Sequence, residues 1–195
     1  MSLTNSHEAL AFDPLRLAGR SVLTKAVFVL AGTLALAIAS QIAVPMVPVP
    51  ITMQTFAVTM IGVLYGWRLG AVTVLAWLGE AMLGAPVLAG GAGGIAPFMG
   101  ATAGYLFSFP LVAAAAGWLA ERGWTGRRLV ASFSAHLAAN LLCLALGWVW
   151  LAALIGAEKA FWAGVAPFIL GAALKSGLAA AALAVLASRN RTAAE

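Results

Sequence analysis

Charge is what this chain has least of. Only 9% of its 195 residues are Asp, Glu, Lys or Arg, while 63% are hydrophobic, and the mean hydropathy is +1.00. A soluble domain carries about a quarter charged residues, so a water-facing surface cannot be assembled from this composition. Lipid is the alternative solvent, and apolar runs of about 18 residues or more are its sign. Acidic residues number only six, and no ladder of them marks a proton pump or a cation channel. The single cysteine, Cys143, lies in an apolar run; one thiol makes neither an internal disulfide nor a zinc cluster. No G-x-x-x-x-G-K-[ST] is present. Gly171-Ala-Ala-Leu-Lys175-Ser176 ends in Lys-Ser, but residue 174 is leucine and the run is apolar, so the chain has no P-loop for ATP. H-E-x-x-H and G-x-S-x-G are missing too, which removes the best-marked metalloprotease and serine hydrolase sites. The net charge of +5 does not argue for nucleic acid, because the basic residues sit between apolar runs and not on one soluble face.

What is present reads as an all-α integral membrane protein. At about 20 residues per span the length holds about six transmembrane helices and little else. One membrane domain is therefore expected over 1–195, with an N-terminal segment at 1–22, a six-helix bundle over 23–187 and a tail at 188–195. The spans are expected near Leu23–Val44, Thr52–Tyr65, Leu69–Leu83, Phe98–Ala120, Leu129–Leu151 and Gly164–Ala187. The polar stretch Met1–Arg20 shows no short apolar region with a cleavage site, so the first span is expected to act as its own insertion signal. With both termini cytoplasmic, Arg16, Arg20, Lys25, Arg68, Arg122, Arg127, Arg128, Arg189 and Arg191 fall inside, and only Lys159 falls in an outer loop. That is the bias the positive-inside rule requires, and it favours an even number of spans. Two unusual loops then share the outer face. One is Pro45-Met-Val-Pro-Val-Pro50, which cannot continue a helix. The other is Gly84 to Gly94, eleven residues with five glycines, read as a lid or pocket wall or else as simple turns.

Ionisable groups inside a span cost about 2.5–3.5 kcal/mol each on insertion scales. Glu80 lies on span 3, about 5 Å below the outer end, and Lys175 on span 6, about 12–16 Å below it at 1.5 Å per residue. Lys175 is too deep to snorkel and should face the bundle interior or a wet cavity with an anion beside it. Either it pairs with Glu80, or it receives the negative group of a substrate while Glu80 tunes it, caps a loop or accepts a donor. His136 and Asn140, four residues apart, share a face of span 5; interhelical hydrogen bonding or ligand contact is open to both. Thr52 and Gln54, at the top of span 2, either cap that helix or reach the same outer cavity. Trp77, Phe98 and Tyr105 are available as apolar walls or as interfacial anchors. Ala31, Ala35 and Ala39, each four apart, make a strip where another helix can approach closely. No catalytic constellation and no metal set stands out.

Four segments carry a recognisable pattern: Val47-Pro-Val-Pro-Ile-Thr-Met-Gln54-Thr-Phe, Gly84-x-Pro86-Val-x-Ala-Gly-Gly, Gly104-Tyr105-Leu106, and Pro167-Phe168-x-x-Gly171-x-x-x-Lys175. Together they resemble the BioY family, the biotin-capturing S components of energy-coupling factor (ECF) transporters. The resemblance implies a six-helix S-component-like bundle in the bacterial inner membrane, with an outward-facing vitamin site under loops. It implies biotin as substrate, no cofactor bound by this chain, and as partners a membrane T component and two cytoplasmic ATPases. In such families the T component is met by A-x-x-x-A patterns on the first helix, which Ala31, Ala35 and Ala39 match. Two positions depart from the pattern. The family usually has Gly-Asp-x-x-Lys on its last helix, where this chain has Ala172, and usually Pro-Thr-Gly-Gly-Tyr, where it has Ala101-Thr-Ala-Gly-Tyr105. The expected binding set is Lys175, Glu80, Asn140, Gln54, Thr52, Phe98, Tyr105 and Trp77. Competing readings are an S component for another vitamin, an intramembrane enzyme using His136 and Glu80, and a membrane scaffold.

Overall fold

The structure is a computed structural model that describes residues 15, 17, 19–126 and 128–192. Arg16 and Arg127 lie outside the described residues, and so do the side chains of Arg189 and Arg191. The chain forms seven described α-helices: α1 (Val22–Gln41), α2 (Gln54–Tyr65), α3 (Trp67–Met82), α4 (Ala103–Glu121), α5 (Leu129–Ile155), α6 (Ala157–Gly164) and α7 (Phe168–Thr192). Two short strands, β1 (Ala43–Val44) and β2 (Ile51–Thr52), pair antiparallel with Ala43 opposite Thr52. This small hairpin is the one described departure from an all-α architecture.

Local chemistry sets the boundaries. The Ser21 hydroxyl accepts from the Thr24 N–H (3.3 Å) and caps α1. Helix α1 stops at Gln41, and the three prolines of 45–50 fill the hairpin loop that follows, where no helix can resume. Gly66, at φ 79°, turns α2 into α3, a conformation a side chain would resist. Three of the expected spans shift. The fourth begins at Ala103, because Ala96–Phe98 forms a separate 3₁₀ turn. The fifth continues to Ile155. The sixth begins at Phe168, just after Pro167, and a short helix, α6, set off by Gly156 at φ 88°, precedes it where a loop is expected.

Four helices, α1, α4, α5 and α7, are long and apolar enough to cross a bilayer. Between them α2, of 12 residues, and α3, of 16, rise only about 18 and 24 Å, short of a hydrocarbon core of about 30 Å. The missing depth is occupied by the loops: the Pro-rich hairpin above α2 and the Gly-rich segment after α3. Helix α4 is the central element, packed on α2, α3 and α5, while α7 lies against α5. Accordingly 61% of the apolar stretch of α4 is buried, against 22% for α1, which faces outward.

The two ends of the bundle differ. At one end α2, α3 and α4 are in near backbone contact. A Cβ on Gly62 would fall on the Ala113 carbonyl, and one on Gly117 would fall on the Gly62 carbonyl. The Trp67 N–H donates to Glu121 Oε1 (3.2 Å), tying the α2–α3 turn to the end of α4. Arg122 lies 3.3 Å over the Trp118 ring, and Arg68 lies 5.0 Å from the Trp67 ring centroid. At the other end the Pro-rich and Gly-rich loops meet over an internal cavity.

Candidate solute-binding cavity

The cavity has a volume of about 290 Å³, at the lower edge of the usual range for small-molecule sites. Its cover comes from both loops: Val49 and Pro50 from the first, Leu88, Ala89 and Ala92 from the second. The second loop is pinned twice. Gln41 Nε2 donates to the Leu88 carbonyl (3.0 Å), and Trp77 Nε1 donates to the Val87 carbonyl (3.2 Å). Gly-rich backbone makes this geometry possible, with Gly84, Gly90, Gly91 and Gly94 all at positive φ.

The polar side of the cavity is built on α2, α5 and α7. Lys175 lies seven residues into α7, about 10 Å along its axis. Its Nζ donates to Thr55 Oγ1 (2.7 Å) and to the Thr52 carbonyl (3.1 Å). Thr52 Oγ1 donates to Gln54 Oε1 (3.0 Å) and accepts from the Gln54 N–H, while Gln54 Nε2 donates to Ser40 Oγ (3.1 Å). Asn140 Nδ2 donates to the His136 carbonyl (2.9 Å) and to Ser176 Oγ (3.3 Å). These side chains are therefore held in place before any ligand arrives, as orientation-setting polar groups must be.

The apolar side comes from α4 and α7. Tyr105, Phe109 and Phe168 line it. Tyr105 stacks on Phe168 at 6.4 Å, and its hydroxyl donates to the Gly164 carbonyl (2.8 Å) at the end of α6. A Cβ on Gly147 would collide with the Tyr105 ring, so the absence of a side chain there seats the aromatic wall. Cys143 also lines the cavity and receives a hydrogen bond from Ser108 Oγ (3.3 Å).

Of the eight expected binding residues, Lys175, Thr52, Gln54, Asn140 and Tyr105 converge on the cavity, and Glu80, Trp77 and Phe98 do not. Trp77 is fully buried between α3 and α4, stacked on Phe109 at 6.0 Å, so it backs the wall without forming it. Phe98 is buried against Phe107 (5.9 Å); Phe107 is two residues from both Tyr105 and Phe109 and so points away from them on α4. Glu80 is partly exposed on α3, and among the described residues no ion pair joins it to Lys175, whose partners are the two threonines. His136 lies one turn of α5 inward from Asn140, 1% exposed, with no hydrogen-bond partner on either ring nitrogen among the described residues. The sequence reading missed Thr55, Phe109 and Phe168. Thr55 and Phe168 stand inside the segments that carried the family resemblance, but nothing in their type separates them from ordinary helix residues. Among the described residues, no three His, Cys, Asp or Glu side chains gather to hold a metal ion. Of the alanine strip on α1, Ala31 and Ala35 are exposed, whereas Ala39 is buried in the bundle.

A bundle with lipid-facing helices and a small, loop-covered cavity is the architecture of a membrane-embedded solute-binding protein. Its relatives make the class specific. The BioY family model matches residues 9–192. A probable biotin transporter BioY of Pyrococcus horikoshii is 38% identical over 142 residues, 73% of this chain and 83% of the relative. The biotin transporter BioY of Rhizobium etli is 38% identical over 154 residues, 75% of this chain and 82% of the relative. Among solved structures, the crystal structure of the S component for biotin from an ECF-type ABC transporter superposes with a TM-score of 0.73 at 25% identity, covering 84% of this chain and 90% of that one. The chain belongs to the BioY family, and it is a multi-pass membrane protein of the S-component fold.

Proposed function

We propose that this chain, acting as one membrane domain of a bacterial inner membrane, captures biotin from outside and passes it inward. The observation that carries the reading is the cradle of Lys175. Its ammonium has three donors, and Thr55 Oγ1 and the Thr52 carbonyl take two of them, which leaves one for an acceptor on the ligand. Biotin offers acceptors in its ureido carbonyl and its carboxylate. Its apolar ring and tail suit the Tyr105, Phe109 and Phe168 wall, and Asn140 and Gln54 suit the ureido edge. The family and the biotin S component of similar fold support the same substrate.

In this reading the chain performs no chemistry on its ligand and holds it with its own side chains, without a cofactor. It carries no P-loop, so the energy for inward release comes from ATP hydrolysis on partner subunits, a T component and two ATPases. The exposed Ala31 and Ala35 on α1 supply a surface that a partner helix can approach closely. A second reading, an S component for another vitamin, is favoured by Ala172, which lines the cavity where the family pattern has an acid. Calorimetry of the purified chain against a vitamin panel tests both. Saturable biotin binding with other vitamins silent is the expected result; tight binding of a different vitamin establishes the second reading and overturns the first.

A further inference from the structure

The cavity wall holds one formal charge, that of Lys175, and no acidic residue lines it. The acidic residues among the described ones lie elsewhere. Glu121 accepts from Trp67 N at the opposite end, Glu158 is in α6, and Glu80 is on α3 off the cavity wall. The partners of Lys175 are a hydroxyl and a carbonyl, which solvate an ammonium but do not neutralise it. The other polar side chains of the lining, among them Gln54, Asn140, Thr102 and Tyr105, carry no formal charge. Ala172 is 3% exposed, lines the cavity and precedes Lys175 by three residues on α7, the spacing at which two side chains on a helix meet. It is therefore the wall position from which a carboxylate would reach the ammonium, and it carries a methyl group.

A charge held out of water inside a bundle calls for an opposite charge beside it. We propose that the ligand supplies it: its own carboxylate is the counter-ion of Lys175, and Ala172, by withholding one, makes the cavity selective for the anionic ligand over its neutral derivatives. The inference rests on the biotin reading above. It makes Ala172 a specificity-determining position that acts through the charge it lacks.

The test compares biotin with biotin methyl ester, which keeps the ring system and tail and removes the charge, by calorimetry on the full-length purified chain. The ester is expected to bind about 30-fold or more weakly, the scale on which a desolvated charge pair loses one partner. Ala172→Asp places a competing carboxylate next to Lys175, and the gap between acid and ester should narrow about tenfold. Ala172→Asn, of similar size and no charge, should keep the wide gap, which separates charge from bulk. Equal affinity of the wild-type chain for acid and ester would overturn the proposal while leaving biotin capture intact. Failure of both to bind would overturn the biotin reading and this inference with it. An Ala172→Asn variant that narrows the gap as far as Ala172→Asp does would also overturn it, because size would then explain the effect.

Discussion

The two ends of this bundle solve opposite problems with the same residue. At the basic end glycine removes space: Gly62 and Gly117 let α2 and α4 touch backbone to backbone, and a side chain at either would strike a carbonyl. At the looped end glycine supplies backbone freedom: Gly84, Gly90, Gly91 and Gly94 take positive φ and bend the segment over the cavity, and the space where a side chain would start is open at all four. One end is a packed foundation that fixes helix positions, and the other is an irregular cover over a cavity about 290 Å³ in volume. Foundation residues should therefore control stability, and cavity residues should control affinity.

The sharpest way to break that division is Lys175→Ala. It deletes the one charge on the cavity wall and both hydrogen bonds to the α2 start. Biotin affinity should fall about 100-fold or more, as for a buried charged partner. Removing an uncompensated charge from the bundle should leave thermal stability in detergent unchanged or raised. Calorimetry and a melting curve on the same sample check both halves, and an unchanged affinity would remove Lys175 from the site.

Gly62→Leu probes the other end. The added side chain has no room against Ala113, and overpacking of this kind costs about 1–3 kcal/mol. A clear drop in melting temperature is expected, while the folded fraction binds biotin within about twofold of wild type. A large affinity loss with unchanged stability would show that the two ends are not separate. Thr55→Val follows as a smaller step inside the cavity. It removes the 2.7 Å partner of Lys175 with little change of shape, and a hydrogen bond to a charged group is worth about 1.5–3 kcal/mol. About tenfold weaker biotin binding in calorimetry is expected; no change would show that the ammonium finds an equal partner without it.

Most of this arrangement is legible in the sequence, and the part that is not has a common cause. Apolar runs, prolines and glycines locate the helices to within a few residues, and the cost of a charge in lipid singles out Lys175. Depth along a span is thus readable, but the direction a side chain faces is not. In a soluble helix polar residues mark the outer face. Here the lipid face and the core face are both apolar, so nothing in the periodicity tells that Tyr105 and Phe109 turn to the cavity while Phe107 turns away. Trp77 and Phe98 have the chemistry of wall residues, but Trp77 stacks behind the wall on Phe109 and Phe98 packs on Phe107. Glu80 is a further case: its depth matched a role beside Lys175, but α3 carries it off the cavity wall. Helix α6 leaves no periodic signal in the sequence because it has only eight residues.

The smallest expected effect on the isolated chain concerns α1, and it divides a motif that reads as uniform. Ala31, Ala35 and Ala39 repeat every four residues, but a helix turns 3.6 residues per revolution, so the strip rotates as it rises. Ala31 and Ala35 remain on the outer surface, and Ala39 has turned inward to 9% exposure. Ala35→Leu should therefore leave both melting temperature and biotin affinity of the isolated chain near wild type. It should weaken co-purification with a T component, because a partner helix can no longer approach the strip closely. Ala39→Leu pushes the same bulk into the bundle and should lower stability by about 1–3 kcal/mol whether or not a partner is present. Pull-down from co-expressing cells, with melting curves of each variant alone, separates the two. If Ala35→Leu assembles normally, the partner does not use this strip. If Ala39→Leu leaves the isolated chain as stable as wild type, the strip is one continuous outer surface, and the inward turn of α1 at that position is wrong.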